Sequence, residues 1–327
     1  MLPKVSVVLA VYNGGRHLEA SVRSILDQTF RDFELIIVDD GSTDGTPEML
    51  LTRQRADQRV VLVRQDHRGL TLSLNRGIAV ARGAYIARQD ADDISRPERF
   101  ERQVAYLEAH PSVAALGTAA DVIDTSGAIV GALTTARGAV AVKRGLVTLR
   151  STPVHGSVMM RKKALDAVGA YREAFPVSQD YDLWLRLSDR FEIDNIPDVL
   201  YQWRLDRDSV YAKRRTTQLQ YAGIALAMAR ERASAGEDSY ELLESCDGDL
   251  DRFAARYRRG ALLHAIWGEL LLRGLGNSRR VRRHFRRAVL GGCIGPWTLL
   301  LAGWAHFGLP WPGGRPLALA DAGDDPA

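Results

Sequence analysis

The stretch that decides the fold is Val5-Ser6-Val7-Val8-Leu9-Ala10-Val11, a nearly continuous apolar run close to the start of the chain. Such a run is typical of a strand that is buried on both faces of a parallel sheet. Tyr12-Asn13-Gly14-Gly15 ends it, and the residues from Leu18 to Leu26 follow with the spacing of an amphipathic helix. A second apolar run, Glu34-Leu35-Ile36-Ile37-Val38, begins another strand–helix unit. The pattern predicts an α/β domain with a doubly wound, mostly parallel sheet.

Strand signals continue through the middle of the chain and stop near residue 212, after which helical patterns follow at 218–232, 253–272 and 279–290. The tail from Pro310 is rich in Pro, Gly and Asp. We therefore predict an α/β domain over residues 1–211, a helical region over 212–309 and a disordered tail over 310–327.

The net charge of +4 over 327 residues comes from one region, because residues 273–287 contain seven arginines and no acid. Cys246 and Cys293 match no metal-ligand spacing and form no disulfide framework, which favours a reducing compartment. The N-terminus also lacks the basic and long apolar regions of a signal peptide. These features predict a cytoplasmic protein.

Three acids follow the apolar run 84–87, in the sequence Asp90-Ala91-Asp92-Asp93, and the first two are two positions apart. On an extended backbone, residues two apart point to the same side, and the carboxyl ends of parallel strands are where open α/β sheets bind ligands. Paired carboxylates suit Mg²⁺ or Mn²⁺. The alternative is that these acids cap the next helix, but Ser95-Arg96-Pro97-Glu98 already has the residues of a capping box there. We therefore predict a metal or ligand site at Asp90 and Asp92.

The ends of the first two strands, with Ala10 and Tyr12 on one and Asp39 and Asp40 on the other, should border the same crevice. An acid in this position can accept hydrogen bonds from a base or a ribose. Neither a dinucleotide-binding glycine fingerprint nor a phosphate-cradling glycine loop follows the first strand. A bound nucleotide diphosphate would therefore need a metal to neutralise it, as the acids near residue 90 could provide.

Asp180 opens an amphipathic pattern and is a candidate general base, although an acid at the start of a helix is commonly only a cap. His155 and Gly156 could line a ligand site, but a lone histidine is more often structural. Trp184 could stack on a sugar or belong to the core. Arg204 could face a phosphate or remain an ordinary surface arginine.

Several of these motifs, in this order, make the chain resemble the family 2 glycosyltransferases over about residues 4–210. They are Val5-Ser6-Val7-Val8 with Tyr12-Asn13, Gln28-Thr29-Phe30, Glu34 to Thr46, Asn75-Arg76-Gly77-Ile78-Ala79, Asp90-Ala91-Asp92-Asp93 and Gln179-Asp180-Tyr181-Asp182-Leu183-Trp184. The resemblance implies the GT-A fold, in which a nucleotide-binding half is joined to an acceptor-binding half.

The resemblance also implies roles for single residues. Asp40 would bind the pyrimidine base, in a pocket lined by Ala10 and Tyr12 and supported by Asp39. Asp90 would face ribose or metal, Asp92 would be the metal ligand, and Asp180 would be the general base. Gln179 departs from the family pattern, in which an acid precedes the base.

The implied activity is an inverting, single-sugar transfer from a nucleotide-sugar, with UDP as the favoured carrier, to a glycan or lipid-linked acceptor, assisted by Mn²⁺ or Mg²⁺. The Q-x-x-R-W motif of processive synthases is absent from the sequence. Alternatives are a sugar nucleotidyltransferase and a non-catalytic nucleotide-sugar-binding protein.

The C-terminal region lies outside the resemblance. Its basic helix and the uncharged stretch 288–309 suit contact of residues 273–309 with the inner face of a cell membrane. The alternative is a helical pair packed on the catalytic domain. No nucleic-acid partner is expected, because no recognised binding module accompanies the arginines.

Overall fold

The structure is a computed structural model that describes residues 2–206, 214–257, 259–275, 279–291, 293, 298 and 301. The chain divides into two compact units, Met1–Asp206 and Arg207–Ala327. The predicted domain boundary at 211/212, the predicted tail 310–327 and most of the uncharged stretch 288–309 lie outside the described residues.

The first unit contains one mixed sheet. Its strands are β1 (Val5–Val11), β2 (Phe33–Asp39), β3 (Val60–Arg64), β4 (Tyr85–Gln89), β5 (Ile94–Ser95), β6 (Val113–Ile123), β7 (Ile129–Leu133), β8 (Met159–Arg161) and β9 (Glu192–Arg204). Their order is β3-β2-β1-β4-β8-β6-β9-β5, with β7 paired to β6. The first four strands are parallel, β8 runs antiparallel to both its neighbours, and β6 pairs parallel with β9. The prediction of a doubly wound, mostly parallel α/β sheet is confirmed for the first unit.

Helices cover both faces of the sheet. They are α1 (Leu18–Leu26), α2 (Thr46–Ala56), α3 (Leu70–Val80), α4 (Arg99–Ala109), α5 (Ala139–Val147), α6 (Lys162–Val168) and α7 (Gln179–Arg190). Successive strand residues point to opposite faces, so Val7 and Leu9 of β1 share a core cluster with residues of α1 and α4. Val8 points the other way, toward α3, where a Cβ on Gly77 would lie 2.5 Å from Val8 Cγ1. Only glycine allows α3 to approach the sheet so closely.

The predicted capping box before α4 is wrong. Ser95 is paired in β5 with Tyr201 of β9, and its hydroxyl donates to Gln89 Oε1 (2.8 Å). The helix begins four residues later, at Arg99, with Glu98 at the N-cap position and no side-chain cap bond. The acids at positions 90 and 92 are also too far from Arg99 to cap this helix, so the capping alternative fails for them on distance along the chain.

The second unit is helical in its described part. Its helices are α8 (Arg215–Ala235), α9 (Tyr240–Glu244), α10 (Leu250–Arg256), α11 (Gly260–Leu275) and α12 (Arg279–Leu290). The single helix predicted over 253–272 is in fact two, because Tyr257 takes an extended conformation with ψ of 121°. Gly260 then starts α11 against the carbonyl of Ala254, where a Cβ would overlap that oxygen. Among the described helices, none combines the length and apolar character needed to cross a membrane.

A buried carboxylate connects the segments at the amino-terminal ends of the parallel strands. Glu34 of β2 accepts hydrogen bonds from Ser6 Oγ (2.6 Å) and from the backbone N–H (2.9 Å) and guanidinium of Arg82. Ser6 Oγ in turn accepts from Gly83 N–H at 2.8 Å. Burial opposes ionisation of Glu34, but the bonds from Arg82 and Ser6 outweigh this effect and lower the pKa of the carboxyl. Strands β1 and β2 and the turn into β4 are thereby tied together.

We expect Glu34→Gln to lower the free energy of unfolding at pH 7 by about 1–3 kcal/mol, because a charge-assisted network is lost. A carboxyl whose folded pKa is depressed stabilises the fold above its unfolded pKa of about 4.3, and this contribution disappears as the pH falls through the folded value. The difference between wild type and variant should therefore shrink below about pH 4. Urea unfolding across pH, with exposed Glu48→Gln as control, checks this; a gap that is constant with pH would contradict it.

Candidate functional site

The strand register brings the predicted site loops together at the carboxyl-terminal ends of the parallel strands. Strands β2, β1 and β4 are neighbours, and Val11 pairs with Asp39 while Leu9 pairs with Gln89. Since the three strands are parallel, the residues that follow them, including Tyr12, Asp40 and Asp90, leave the sheet on the same side. Asn13 there has a φ of 51°, which lets its side chain accept from Thr43 N–H at 2.8 Å.

Asp40 is buried, and its carboxylate organises the loop that follows β3. Oδ1 accepts from Gln65 Nε2 (2.6 Å) and Arg68 N–H (2.8 Å), whereas Oδ2 accepts from Gly69 N–H (2.8 Å) and lies 3.0 Å from His67 Nδ1. Burial opposes ionisation, but the bonds from Gln65, Arg68 and Gly69 prevail and lower the pKa of Asp40. The carboxylate is therefore charged and fully engaged by protein donors.

An aromatic pair stands above Asp40. The rings of Tyr12 and His67 lie 4.0 Å apart, and the two residues have exposed side-chain surface. Ala10 lies in β1 at the base of this region and is buried. Asp39 is buried as well and accepts from Ser42 N–H at 3.0 Å, with Arg64 Nε 3.7 Å away. Asp39 thus fixes the turn after β2, while the aromatic pair is open to a ligand.

Negative charge is concentrated in the loop after β4. Burial and the charge of Asp90 raise the pKa of Asp92 to about 6. Burial, Asp90 and Asp92 together raise the pKa of Asp93, which is almost completely buried and accepts from Arg204 N–H at 2.7 Å. In the described residues no three Asp, Glu, His or Cys side chains enclose an ion by themselves. A cation held at Asp92 would therefore need further oxygen ligands from a bound molecule or from water.

Buried arginines support this acidic loop from below. Arg88 of β4 donates to Asp90 Oδ1 (2.5 Å) and to the carbonyl of Gln89. Arg99 of α4 donates to the carbonyl of Arg88 at 2.7 Å and lies over the ring of Tyr201, 5.1 Å from its centroid. Tyr201 Oη accepts from Asp90 N–H at 3.2 Å. Strand β4, helix α4 and strand β9 therefore hold Asp90 jointly.

The candidates His155 and Gly156 lie in a turn that contacts the acidic loop at Gly156. A Cβ on Gly156 would overlap Tyr201 Oη and lie 2.8 Å from Asp90 Oδ2, so only glycine fits there. His155 Nε2 lies 2.7 Å from Tyr171 Oη. Burial and the charge of Arg88 lower the pKa of His155 to about 4, so the imidazole is neutral at pH 7.

Asp180 is the second residue of α7, whose N-cap residue Ser178 has a φ of 56°. The charges of Asp180 and Asp90 both act on His155 and on Tyr171. Trp184, one turn after Asp180 on α7, packs against His155, and the neighbouring Gly156 lies against Asp90. The first turns of α7 and the acidic loop therefore lie near the same histidine.

Two candidates have surroundings that differ from those the sequence suggested. Trp184 is fully buried and packs edge-on to His155, with ring centroids 6.1 Å apart, so it belongs to the core and presents no ring face to a sugar. Arg204 is buried, and its guanidinium donates to the carbonyls of Asp92 (2.8 Å) and Asp124 (2.7 Å). It does not face an open phosphate site, because its donors already hold the acidic loop to the end of β9.

Sequence reasoning missed Arg88, Tyr201, Tyr171 and His67, all of which contact a candidate residue. The sequence did contain a signal for Arg88. It directly follows the apolar run 84–87, and a charge at the end of a buried strand needs a partner such as the nearby Asp90. The other three gave none, since their contacts depend on segments far apart in the chain.

Comparisons with known proteins point to one family. The model of Glycosyl transferase family 2 matches residues 6–169. The putative glycosyltransferase EpsE of Bacillus subtilis is 39% identical over 215 residues, which cover 63% of this chain and 75% of that protein.

Solved structures share the fold. S. aureus TarS 1–349 in complex with UDP-GlcNAc has a TM-score of 0.60 and 15% identity, with 94% of this chain and 92% of that chain covered. The mannosyltransferase PcManGT from Pyrobaculum calidifontis, in complex with GDP-Man and Mn²⁺, has a TM-score of 0.56 and 19% identity, with 94% of this chain and 81% of that chain covered.

The contact at Gly156 can be tested directly. Gly156→Ala should lower the free energy of unfolding by about 1–3 kcal/mol, because the added methyl forces Tyr201 or Asp90 to move. Gly131→Ala is the matched control, since a Cβ there meets Val122 at an ordinary 3.7 Å. Denaturant unfolding measures both; equal stability of the two variants would show that the turn at Gly156 yields without cost.

Proposed function

The chain belongs to glycosyl transferase family 2, and we propose that it moves one sugar, with inversion, from a nucleoside diphosphate sugar to an acceptor hydroxyl. The observation that carries the proposal is that the turn at His155 and Gly156 contacts both segments: Gly156 lies against Asp90 of the acidic loop, and His155 packs against Trp184 of α7, one turn after Asp180. An acceptor-activating base has to lie near the site where the donor and its metal bind, and Asp180 is the candidate for this role.

The donor base would bind beside Tyr12 and His67, whose exposed rings offer a stacking surface over Ala10. Asp40 would recognise the base by exchanging one of its four present polar contacts for a contact with the base. The contact with His67 is the one that can be exchanged most easily, since the His67 side chain is 56% exposed. Asp39 would act indirectly, by fixing the turn at Ser42. A uridine donor is the first expectation, with thymidine and guanosine as alternatives.

A divalent metal, Mn²⁺ or Mg²⁺, fits the donor set of the acidic loop. Asp92, with Asp90 beside it, would hold the ion. Burial and the charge of Asp90 raise the pKa of Asp92, and a bound cation would offset both effects. When bound, such an ion stabilises the negative charge that develops on a departing nucleoside diphosphate. Arg88 keeps one oxygen of Asp90 engaged, so Asp92 is the freer ligand.

Asp180 would accept the proton of the acceptor hydroxyl as that oxygen attacks the anomeric carbon. His155 and Gly156 would line the acceptor side, with His155 neutral and held by Tyr171. A glycan or lipid-linked acceptor is proposed. Contact of residues 273–309 with the inner face of a membrane is a separate proposal, which does not depend on the transfer reaction.

Asp180→Asn should reduce transfer by about 10²–10⁴-fold, because the base is lost, while donor affinity stays within a factor of about two. Donor binding is measured by calorimetry with UDP-, dTDP- and GDP-sugars, and transfer by release of nucleoside diphosphate. Asp166→Asn, an exposed acid on α6, is the control. Transfer near the wild-type rate would remove Asp180 from the mechanism, and release of pyrophosphate in place of nucleoside diphosphate would instead identify a nucleotidyltransferase.

Asp92→Ala should weaken Mn²⁺ binding in the presence of nucleoside diphosphate by at least about tenfold, because the freer carboxylate ligand is removed. Electron paramagnetic resonance of free Mn²⁺ gives this affinity without an activity assay. Asp27→Ala, an exposed acid at the end of α1, is the control. Unchanged Mn²⁺ affinity in the Asp92 variant would contradict the assignment of the ligand.

A further inference from the structure

Helix α12 presents a single cationic face. All six of its arginines are exposed, and at about 100° per residue they occupy an arc of roughly 160°. They are Arg279, Arg280, Arg282, Arg283, Arg286 and Arg287. Arg287 pairs with exposed Asp251, at 2.8 Å, whereas Arg279, Arg283 and Arg286 form no ion pair with any described residue. We call this set the arginine face.

The opposite side of α12 is already occupied. Val281, Phe285 and Ala288 are buried, and a Cβ on Gly268 of α11 would lie 3.1 Å from the ring of Phe285. His284 is buried on the same side, with Nδ1 3.2 Å from His264 Nδ1 of α11. The apolar stripe of α12 therefore packs inside the helical unit, so this helix cannot submerge it in a bilayer without separating from α11. Of the two sides of α12, the charged side is therefore the one available to a membrane surface.

We propose that the arginine face binds the surface of an anionic lipid bilayer through charge, without insertion of α12. Arginines near such a surface gain affinity from the negative potential of its headgroups. A bilayer is favoured over a nucleic acid because the sequence immediately beyond the helix, residues 291–309, has no formally charged residue and includes Trp297 and Trp304. Tryptophan is enriched at membrane interfaces, whereas a nucleic-acid-binding extension would add further cations for the phosphates.

Vesicle co-sedimentation of the full chain tests this proposal, with 30% phosphatidylglycerol in phosphatidylcholine against phosphatidylcholine alone. The wild type should bind the anionic vesicles and lose most binding between 0.1 and 0.5 M NaCl, because salt screens surface charges. R279Q/R283Q/R286Q should bind about 100-fold more weakly, at roughly fivefold per arginine. Glutamine preserves helix propensity and leaves the packed side untouched.

The matched control is R55Q/R144Q/R230Q, which removes the same charge from three exposed helical positions elsewhere; it should bind like the wild type. Circular dichroism confirms that each variant is folded. Equal binding to uncharged vesicles, equal loss in both triple variants, or retention of a 30-base-pair DNA duplex without vesicle binding would each overturn the proposal. None of these results depends on sugar transfer, so the transferase proposal is tested separately.

Discussion

The candidate site depends on how the fold accommodates three carboxylates within four positions. Asp90, Asp92 and Asp93 repel one another, and burial makes the repulsion stronger, because a low-dielectric environment screens charges poorly. Two arginines offset this repulsion. Arg88 is buried and donates to the Asp90 carboxylate, and Arg204 of β9 donates from its backbone N–H and its guanidinium to the loop. The compensation is incomplete, as the raised pKa of Asp92 indicates. A loop balanced in this way is suited to bind a cation together with an anionic ligand.

The same loop links the two halves of the first unit. Tyr201 of β9 receives the N–H of Asp90, and Arg99 lies over the Tyr201 ring. The turn at Gly156 packs against Tyr201 and Asp90. Residues that a sequence reader would assign to separate segments thus form one continuous buried network. Such networks are sensitive to the loss of any single member, because each unpaired polar group then remains buried.

The sequence was sufficient for the parts that follow from local pattern. Apolar runs predicted β1 and β2, and the position of acids after strands indicated which loops would meet, since parallel strands must end on the same side. It was insufficient where long-range contacts decide. Ser95 has a side chain that is favoured at the N-cap of a helix, yet it lies in strand β5 and pairs with β9. Trp184 and Arg204 have side chains suited to ligands. In the structure, however, Trp184 is buried in the core and Arg204 donates to a backbone carbonyl of the acidic loop.

The absence of a side chain at Gly156 has a thermodynamic consequence. The backbone of the His155–Ser157 turn rests directly on Tyr201 and the carboxylate of Asp90, with no flexible group between them to absorb a displacement. Whatever shifts the turn must also shift the carboxylate. If one substrate orders the turn and the other orders the acidic loop, each would raise the affinity for its partner by the same factor, since coupling between two binding equilibria is reciprocal.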